Sequence, residues 1–353
     1  MKPSAGFSLI EMLVAIAITA IVIAVSLAIL NEGQRTSEGI SLSSNTLQNL
    51  RAGMNYLVRD LVLAGEGLPT GGIPIPNGSG TPVNRPGPTG SNYTFPNTYT
   101  AIPVLTTGGG KGPNVLRPTD MVTVIYADNT LPLNQNIIND PNPPVTTPPT
   151  TPCNGSIDSN GASVTFDINC TNISTGTTRI QPGDLIMFSN SNGNALASVT
   201  SVAGQKLNFA ASDPFNLNQR TDPSGTMKQI QAPPSSGNYP PTTATRVVML
   251  TYYLDNSDPQ NPRLMRQLNF NAALAVSEGI EDLQVSYDFV DGATNPSDQK
   301  DPPAGNSPNQ IQNANLFLAG RSLYRSTWTK QYFRNNLVTQ VAPRSLKFFN
   351  RYQ

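Results

Sequence analysis

From Phe7 to Leu30 the chain reads FSLIEMLVAIAITAIVIAVSLAIL, a run of 24 positions whose one charged residue is Glu11. About 20 apolar residues suffice to cross the hydrocarbon core as a helix, so the segment is long enough to span a bilayer. Lys2 and the free amine ahead of it predict an N-terminus held in the cytoplasm, with the rest of the chain delivered to the other side. Beyond the run, the pattern changes from apolar all round to apolar on one side. Leu47, Leu50, Met54, Leu57, Val58, Leu61 and Val62 recur at steps of three and four, opposite Asn45, Gln48, Asn55 and Arg59. The helix is therefore expected to continue as an amphipathic stalk packed on its own globular head. Gly33 and Gly39 mark its weak point, each costing about 1 kcal/mol relative to alanine.

After Gly65 the helical period ends. Residues 66–118, with GLPTGGIPIPNGSG and TTGGGKGPN, read as a long surface loop; residues 134–160, with PNPPVTTPPTTPCNG, read as a second, extended one. Between and after them come β-branched and aromatic runs at 121–127, 164–168, 184–189, 195–203, 246–254, 263–269, 280–289 and 311–318. One long helix followed by strands predicts an α+β fold, in which the C-terminal half of the helix packs on an antiparallel sheet carrying long Pro/Gly-rich loops.

Composition narrows the chemistry. Lys plus Arg equals Asp plus Glu, 22 against 22, so no net field steers the chain toward nucleic acid. Histidine is absent, which removes the commonest general base and transition-metal ligand. No residue is singled out as a nucleophile, and neither an enzyme nor a cofactor is expected. Glu278, Glu281 and Asp282 read as an exposed strand entrance rather than an acid–base group. Asp288, Asp291, Asn295 and Asp298 bunch oxygen donors of the kind calcium takes, but off the EF-hand spacing; a solvated polar hairpin is the alternative. Arg321, Arg325, Lys330, Arg334, Arg344, Lys347 and Arg351, interleaved with Tyr324, Trp328, Tyr332, Phe333 and Phe348, read as ordinary strand and loop, with a DNA or polysaccharide surface as the competing reading. Cys153 and Cys170 lie in a polar, extracytoplasmic segment where a disulfide would persist; two free thiols are the other possibility.

Glu11 carries the sharpest signal. A carboxylate at membrane depth costs about 2.5–3.5 kcal/mol on insertion scales unless it is paired. A secretory signal cut near Ser26-Leu27-Ala28, or a plain signal anchor, would leave that acid unexplained. A cut between Gly6 and Phe7 would create an amine four residues before Glu11, and the same amine of a neighbouring subunit could neutralise the acid inside an apolar bundle.

The run Gly6-Phe7-Ser8-Leu9-Ile10-Glu11-Met12-Leu13-Val14-Ala15 resembles the N-terminal signal of type IV prepilins and pseudopilins. The resemblance implies cleavage after Gly6 by a prepilin peptidase, methylation of Phe7, and an assembly role for Glu11. Thr119–Val124, Gly183–Met187, Val248–Leu254 and Glu278–Tyr287 resemble, in that order, runs of PilW-type minor pilins and J-type minor pseudopilins. The implied organisation is a leader at 1–6, a transmembrane and filament-core helix at 7–30, its amphipathic continuation at 31–65 and an extracytoplasmic head at 66–353. The implied function is that of a minor pilin in adhesion, twitching or DNA uptake; a type II secretion pseudopilin or a tip adhesin are the alternatives. Its partners would be major and minor pilins, the peptidase and the inner-membrane assembly platform, with passage from inner membrane to surface pilus.

Overall fold

The computed structural model describes residues 8–69, 72–76, 82–96, 99–128, 133, 137–139, 154–166, 172–174, 179–221, 224–231, 240–290, 292 and 294–349. Its first element, α1 (Leu9–Val62), is a continuous helix of 54 residues, about 80 Å long at 1.5 Å per residue. It runs unbroken through Gly33 and Gly39, where an added Cβ would meet nothing within 4 Å. The glycines expected to weaken the helix do not interrupt it, since the backbone ladder needs no side chain to continue. At its far end Gly65 takes φ +78°, and two backbone bonds, Gly65 N to Ile125 O (2.8 Å) and Ala127 N to Glu66 O (2.8 Å), stitch the chain onto a strand.

The main strands are β1 (Val122–Ala127), β2 (Leu185–Asn190), β3 (Gly193–Ser198), β4 (Pro241–Asp255), β5 (Arg263–Leu268), β6 (Leu274–Glu278), β7 (Ile280–Phe289), β8 (Ile311–Arg325) and β9 (Tyr332–Val341). The fifteen-residue β4 is the spine of the larger sheet. It pairs antiparallel with β1 (Val247 opposite Ala127 to Tyr252 opposite Val122), with β2 over its first half (Leu185 opposite Val247), and with β5 over its second (Leu250 opposite Leu268). Asn269, in the left-handed region at φ 51°, closes the gap where β2 gives way to β5. Its side chain accepts from Met249 N (3.1 Å) and donates to Gly183 O (3.1 Å). The smaller sheet is β7-β8-β9, antiparallel throughout. Short helices α2 (Met227–Gln231) and α3 (Arg344–Phe349) complete the head.

The stripe read from the sequence is the buried face of α1. Leu50, Met54, Leu57 and Leu61 pack with Val124, Tyr252, Leu264, Leu283 and Leu316, while Asn45, Gln48, Asn55 and Arg59 face solvent. The α+β architecture of a long helix on an antiparallel head is thus the observed one. Gly53 shows how closely the two meet: a Cβ there would lie 3.0 Å from Leu264 and 3.1 Å from Ser277.

Two expectations need correction. Residues 66–118 are not simply a surface loop. Ile73, Val83, Phe95, Ile102 and Leu105 are buried, and two-residue strands pair Ile73–Pro74 with Ala101–Ile102 and Asn84–Arg85 with Tyr93–Thr94. Irregularly spaced single apolar residues anchor the segment, and such anchors leave no period to read. Nor does all the sheet wrap on the helix. Ile157, Val164, Phe166, Ile186, Phe188, Leu207 and Phe209 form a separate core with α2, in which Phe188 meets Phe209 edge-on at 5.8 Å.

Candidate assembly site and its coupling to the head

The helix begins with its own capping device. Ser8, in extended backbone, is the N-cap; its Oγ accepts from Glu11 N (3.5 Å), and Glu11 Oε2 accepts from Ser8 N (2.9 Å). This reciprocal pair satisfies two of the donors that a helix start leaves free, and sets an anion at the positive end of the helix dipole. The sequence pattern Ser-x-x-Glu at 8–11 thus has a second reading that the family resemblance did not bring out. Among the described residues Ser8 supplies the only donor to the Glu11 carboxylate, so the acid retains capacity for a further donor. Gly6 and Phe7 lie outside the described residues.

On both sides of Glu11, every large apolar side chain from Leu9 to Leu30 is more than half exposed in the isolated chain, on all faces of the helix. A helix apolar all round needs a lipid or protein surround. Its two hydroxyls are already satisfied within the helix, Thr19 Oγ1 donating to Ala15 O (2.8 Å) and Ser26 Oγ to Val22 O (2.8 Å). Among the described side chains from Leu9 to Leu30, Glu11 is the charged one, and its carboxylate keeps acceptor capacity beyond the single Ser8 donor.

At the other end of α1 a buried acid ties the helix to the head. Asp60 is fully buried; its Oδ2 accepts from Tyr252 Oη (2.5 Å) and Arg266 Nε (2.7 Å), and its Oδ1 from Arg59 Nε (3.1 Å). Burial, then the neighbouring Asp60, push the Tyr252 hydroxyl well above its ordinary pKa. Burial pulls Arg266 down most, yet the bond to Asp60 together with the charge and hydrogen-bond interactions of Asp60 and Tyr252 outweighs it and leaves the guanidinium above its usual value. The tie was not foreseen: Asp60 falls among the helix's apolar positions, and its partners lie about 200 residues away (|i−j| 192 and 206). The only available signal was an acid on the apolar face.

Several candidate residues prove structural. Glu281 and Asp282 are not an exposed strand entrance. Both are buried, Glu281 between Arg321 (3.0 Å) and Arg334 (2.8 Å), Asp282 against Arg117 Nε (2.6 Å). Pairing across β7-β8-β9 brings Arg321 and Arg334 over Glu281, and Arg117 reaches Asp282 from the segment before β1, neither of which strand periodicity alone could show. Glu278 does remain exposed. Arg325 and Arg321 stack on the Tyr332 ring at 5.0 and 4.1 Å, so much of the basic aromatic segment is engaged within the chain. In the oxygen-rich loop, Asp288 accepts from Asp298 N (3.0 Å), Asn315 Nδ2 (3.0 Å) and Gln340 Nε2 (3.1 Å). Asp298 accepts from Ser286, and Asn295 from Gly292 N (3.3 Å). Asp291, Cys153 and Cys170 lie outside the described residues. Among the described residues no three His, Cys, Asp or Glu groups converge as a metal site.

Arg85 is a second buried charge that the sequence did not reveal. Its Nη2 donates to Thr107 O (2.8 Å), and burial pulls it down to about 10.

Residues 1–27 match the family model described as the prokaryotic N-terminal methylation motif. Comparison of the whole chain with curated proteins and with solved structures finds no match. The matched segment ends within the apolar part of α1, so it covers both the capped start and the exposed apolar helix.

Proposed function

We propose that this type IV pilin-like chain is a structural, non-enzymatic minor pilin, cut after Gly6 by a prepilin peptidase, methylated on Phe7 and drawn by its first helix into a type IV pilus. One observation carries the reading: the methylation motif at 1–27 runs without a break into a helix that is apolar all round at one end and sheet-bound at the other. In this reading residues 1–6 are the leader, 7–30 the membrane span and later the filament core, 31–65 the stalk, and 66–353 the extracytoplasmic head. The precursor sits N-in in the inner membrane before its delivery to the surface.

Glu11 then has two uses. Before assembly it caps its own helix through Ser8; in the filament its remaining acceptor capacity takes the Phe7 amine of a neighbouring subunit. Pairing in the dry bundle sets axial register, because an unmatched charge there is costly. The head favours a tip position. Its second core, built around Phe188 and Phe209, lies apart from the helix-packed core and adds bulk that close lateral packing in a shaft would have to accommodate. PilW-type character, an adhesive role for the distal lobe, and partnership with major and minor pilins on the inner-membrane platform follow as parts of the same proposal. A type II secretion pseudopilin would use the same parts, and is distinguished by whether deletion of the gene stops secretion instead of pilus formation.

Mass spectrometry of the mature N-terminus tests the assignment. The expected product begins with N-methylated Phe7. An intact Met1, or a start after Ala28, would overturn it.

A further inference from the structure

The hairpin joining β8 to β9 reaches back along α1 toward its apolar run, as far as Glu38. Its register closes with Arg325 opposite Tyr332, and the turn is held by Ser326 N to Gln331 O (2.9 Å) and Lys330 N to Ser326 O (2.9 Å), with Lys330 in the left-handed region at φ 57°. Glu38 on α1 straps this turn down. Its carboxylate accepts from Thr327 N (2.7 Å) and Thr327 Oγ1 (2.8 Å). Glu38 lies eight residues beyond Leu30, about 12 Å along the axis from the end of the apolar run. Beside the strap, Thr329, Gln331, Tyr332 and Phe333 line a cleft of about 410 Å³ whose opposite wall includes Glu32 and Arg35. Glu32 is about 3 Å along the axis beyond Leu30. The headgroup layer occupies about 5–8 Å on each side of the hydrocarbon core, so the end of the cleft at Glu32 and Arg35 falls within that layer and the hairpin turn stands just above it.

The side chains here suit such a surface. Tyr56, Tyr324, Trp328 and Phe333 are the exposed large aromatic residues among those described, and three of the four sit on this hairpin. Trp328 is 45% exposed at the turn and Tyr324 76%. Arg325 and Lys330 flank them, while the nearby acids are engaged, Glu38 by Thr327 and Glu32 by Arg35 at 3.8 Å. Tryptophan and tyrosine beside cationic side chains form the composition that settles at a membrane–water interface, where the ring is half dry and the charge meets headgroup phosphates.

We propose that the hairpin tip at 326–330 rests on the extracytoplasmic face of the bilayer, with Trp328 in the headgroup layer and Arg325 and Lys330 against anionic lipid headgroups. The inference rests on the reading of 7–30 as a membrane span. The contact would hold the head upright over its anchor until the subunit is withdrawn from the membrane.

Trp328 is the single tryptophan of the chain, so its fluorescence reports this contact directly. The full chain is reconstituted into vesicles of phosphatidylcholine with or without phosphatidylglycerol, with a headgroup nitroxide lipid as quencher. The expected result is loss of most of the emission to the labelled lipid, strongest with phosphatidylglycerol. Arg325→Gln with Lys330→Gly, the latter keeping the left-handed turn conformation, should remove the phosphatidylglycerol dependence. Equal emission with labelled and unlabelled lipid overturns the proposal. So does shielding that depends on protein-to-lipid ratio and ignores the labelled lipid, which would mean a second copy covers the tip. An unchanged lipid dependence in the double variant overturns it as well. Alkaline extraction of the same vesicles separates the two readings: release of the chain refutes the membrane span, whereas retention with unquenched Trp328 refutes the hairpin contact alone.

Discussion

Replacing Asp60 with alanine should uncouple the anchor helix from the head more than any other single truncation of a polar residue in α1. The substitution removes the acceptor of Tyr252 Oη and of Arg266 Nε, and leaves both at the helix–sheet junction. Breaking a buried ion pair by removing one partner costs about 3–5 kcal/mol. The lower end applies because the Arg266 side chain is 22% exposed and can recruit water, whereas Tyr252 is fully buried and cannot. Arg59, at 56% exposure, adds less than about 1 kcal/mol. The net expectation is a loss of about 3 kcal/mol. Urea unfolding of the full chain in detergent micelles, followed by circular dichroism, should show a lower midpoint at unchanged slope. A loss below about 1 kcal/mol would mean that the tie behaves as a surface pair and that the reasoning is wrong. Additivity of Asp60→Ala with Tyr252→Phe in a double-mutant cycle would refute the coupling just as directly.

Other outcomes follow from the same geometry. Glu11→Ala should be inserted, cleaved and folded normally in the head yet fail to enter filaments; undiminished filament counts with the variant incorporated would rule out a register role for the carboxylate. Gly53→Val should destabilise the helix–sheet contact by about 1–3 kcal/mol, since even a Cβ would sit 3.0 Å from Leu264; an unchanged urea midpoint would contradict the close approach. Glu38 is held below its ordinary value of 4.5, first by the Thr327 N–H. A depressed carboxylate stabilises its contact above the unfolded-state pKa and loses that contribution as pH falls through the folded value. The hairpin strap should therefore persist at neutral pH and loosen only below pH 4.5, with Trp328 emission in detergent as the readout; release on going alkaline would reverse the sign. Cys153 and Cys170 should resist alkylation until reduced, and reduction should cost about 3 kcal/mol in the chain-entropy model; rapid labelling of both in the unreduced, denatured chain would exclude the bridge.

What could be read from the sequence was whatever depends on local order along the chain. An apolar run of bilayer length, the stripe from Leu47 to Val62 and the alternating strand runs are periodic, and the structure has a helix or strand at each. The strand runs were recognisable because each buries neighbouring residues within its own length, as β7 does with Leu283, Val285, Tyr287 and Phe289. β9 escaped notice because it is an edge strand whose exposed positions, Phe333 and Val338 among them, blur the alternation. Charges were misjudged for a related reason. Glu281 looks like a solvated acid until β8 and β9 bring Arg321 and Arg334 over it, and Asp60 looks like a breach of an apolar face until Tyr252 and Arg266 meet it. The tertiary structure alone decided which polar residues are buried, that residues 66–118 carry core anchors, and that a hairpin from the far end of the chain returns to Glu38, midway along the helix. Those outcomes depend on pairs separated by tens to hundreds of residues, and desolvation is governed by what the rest of the fold lays over a side chain, not by its neighbours in sequence.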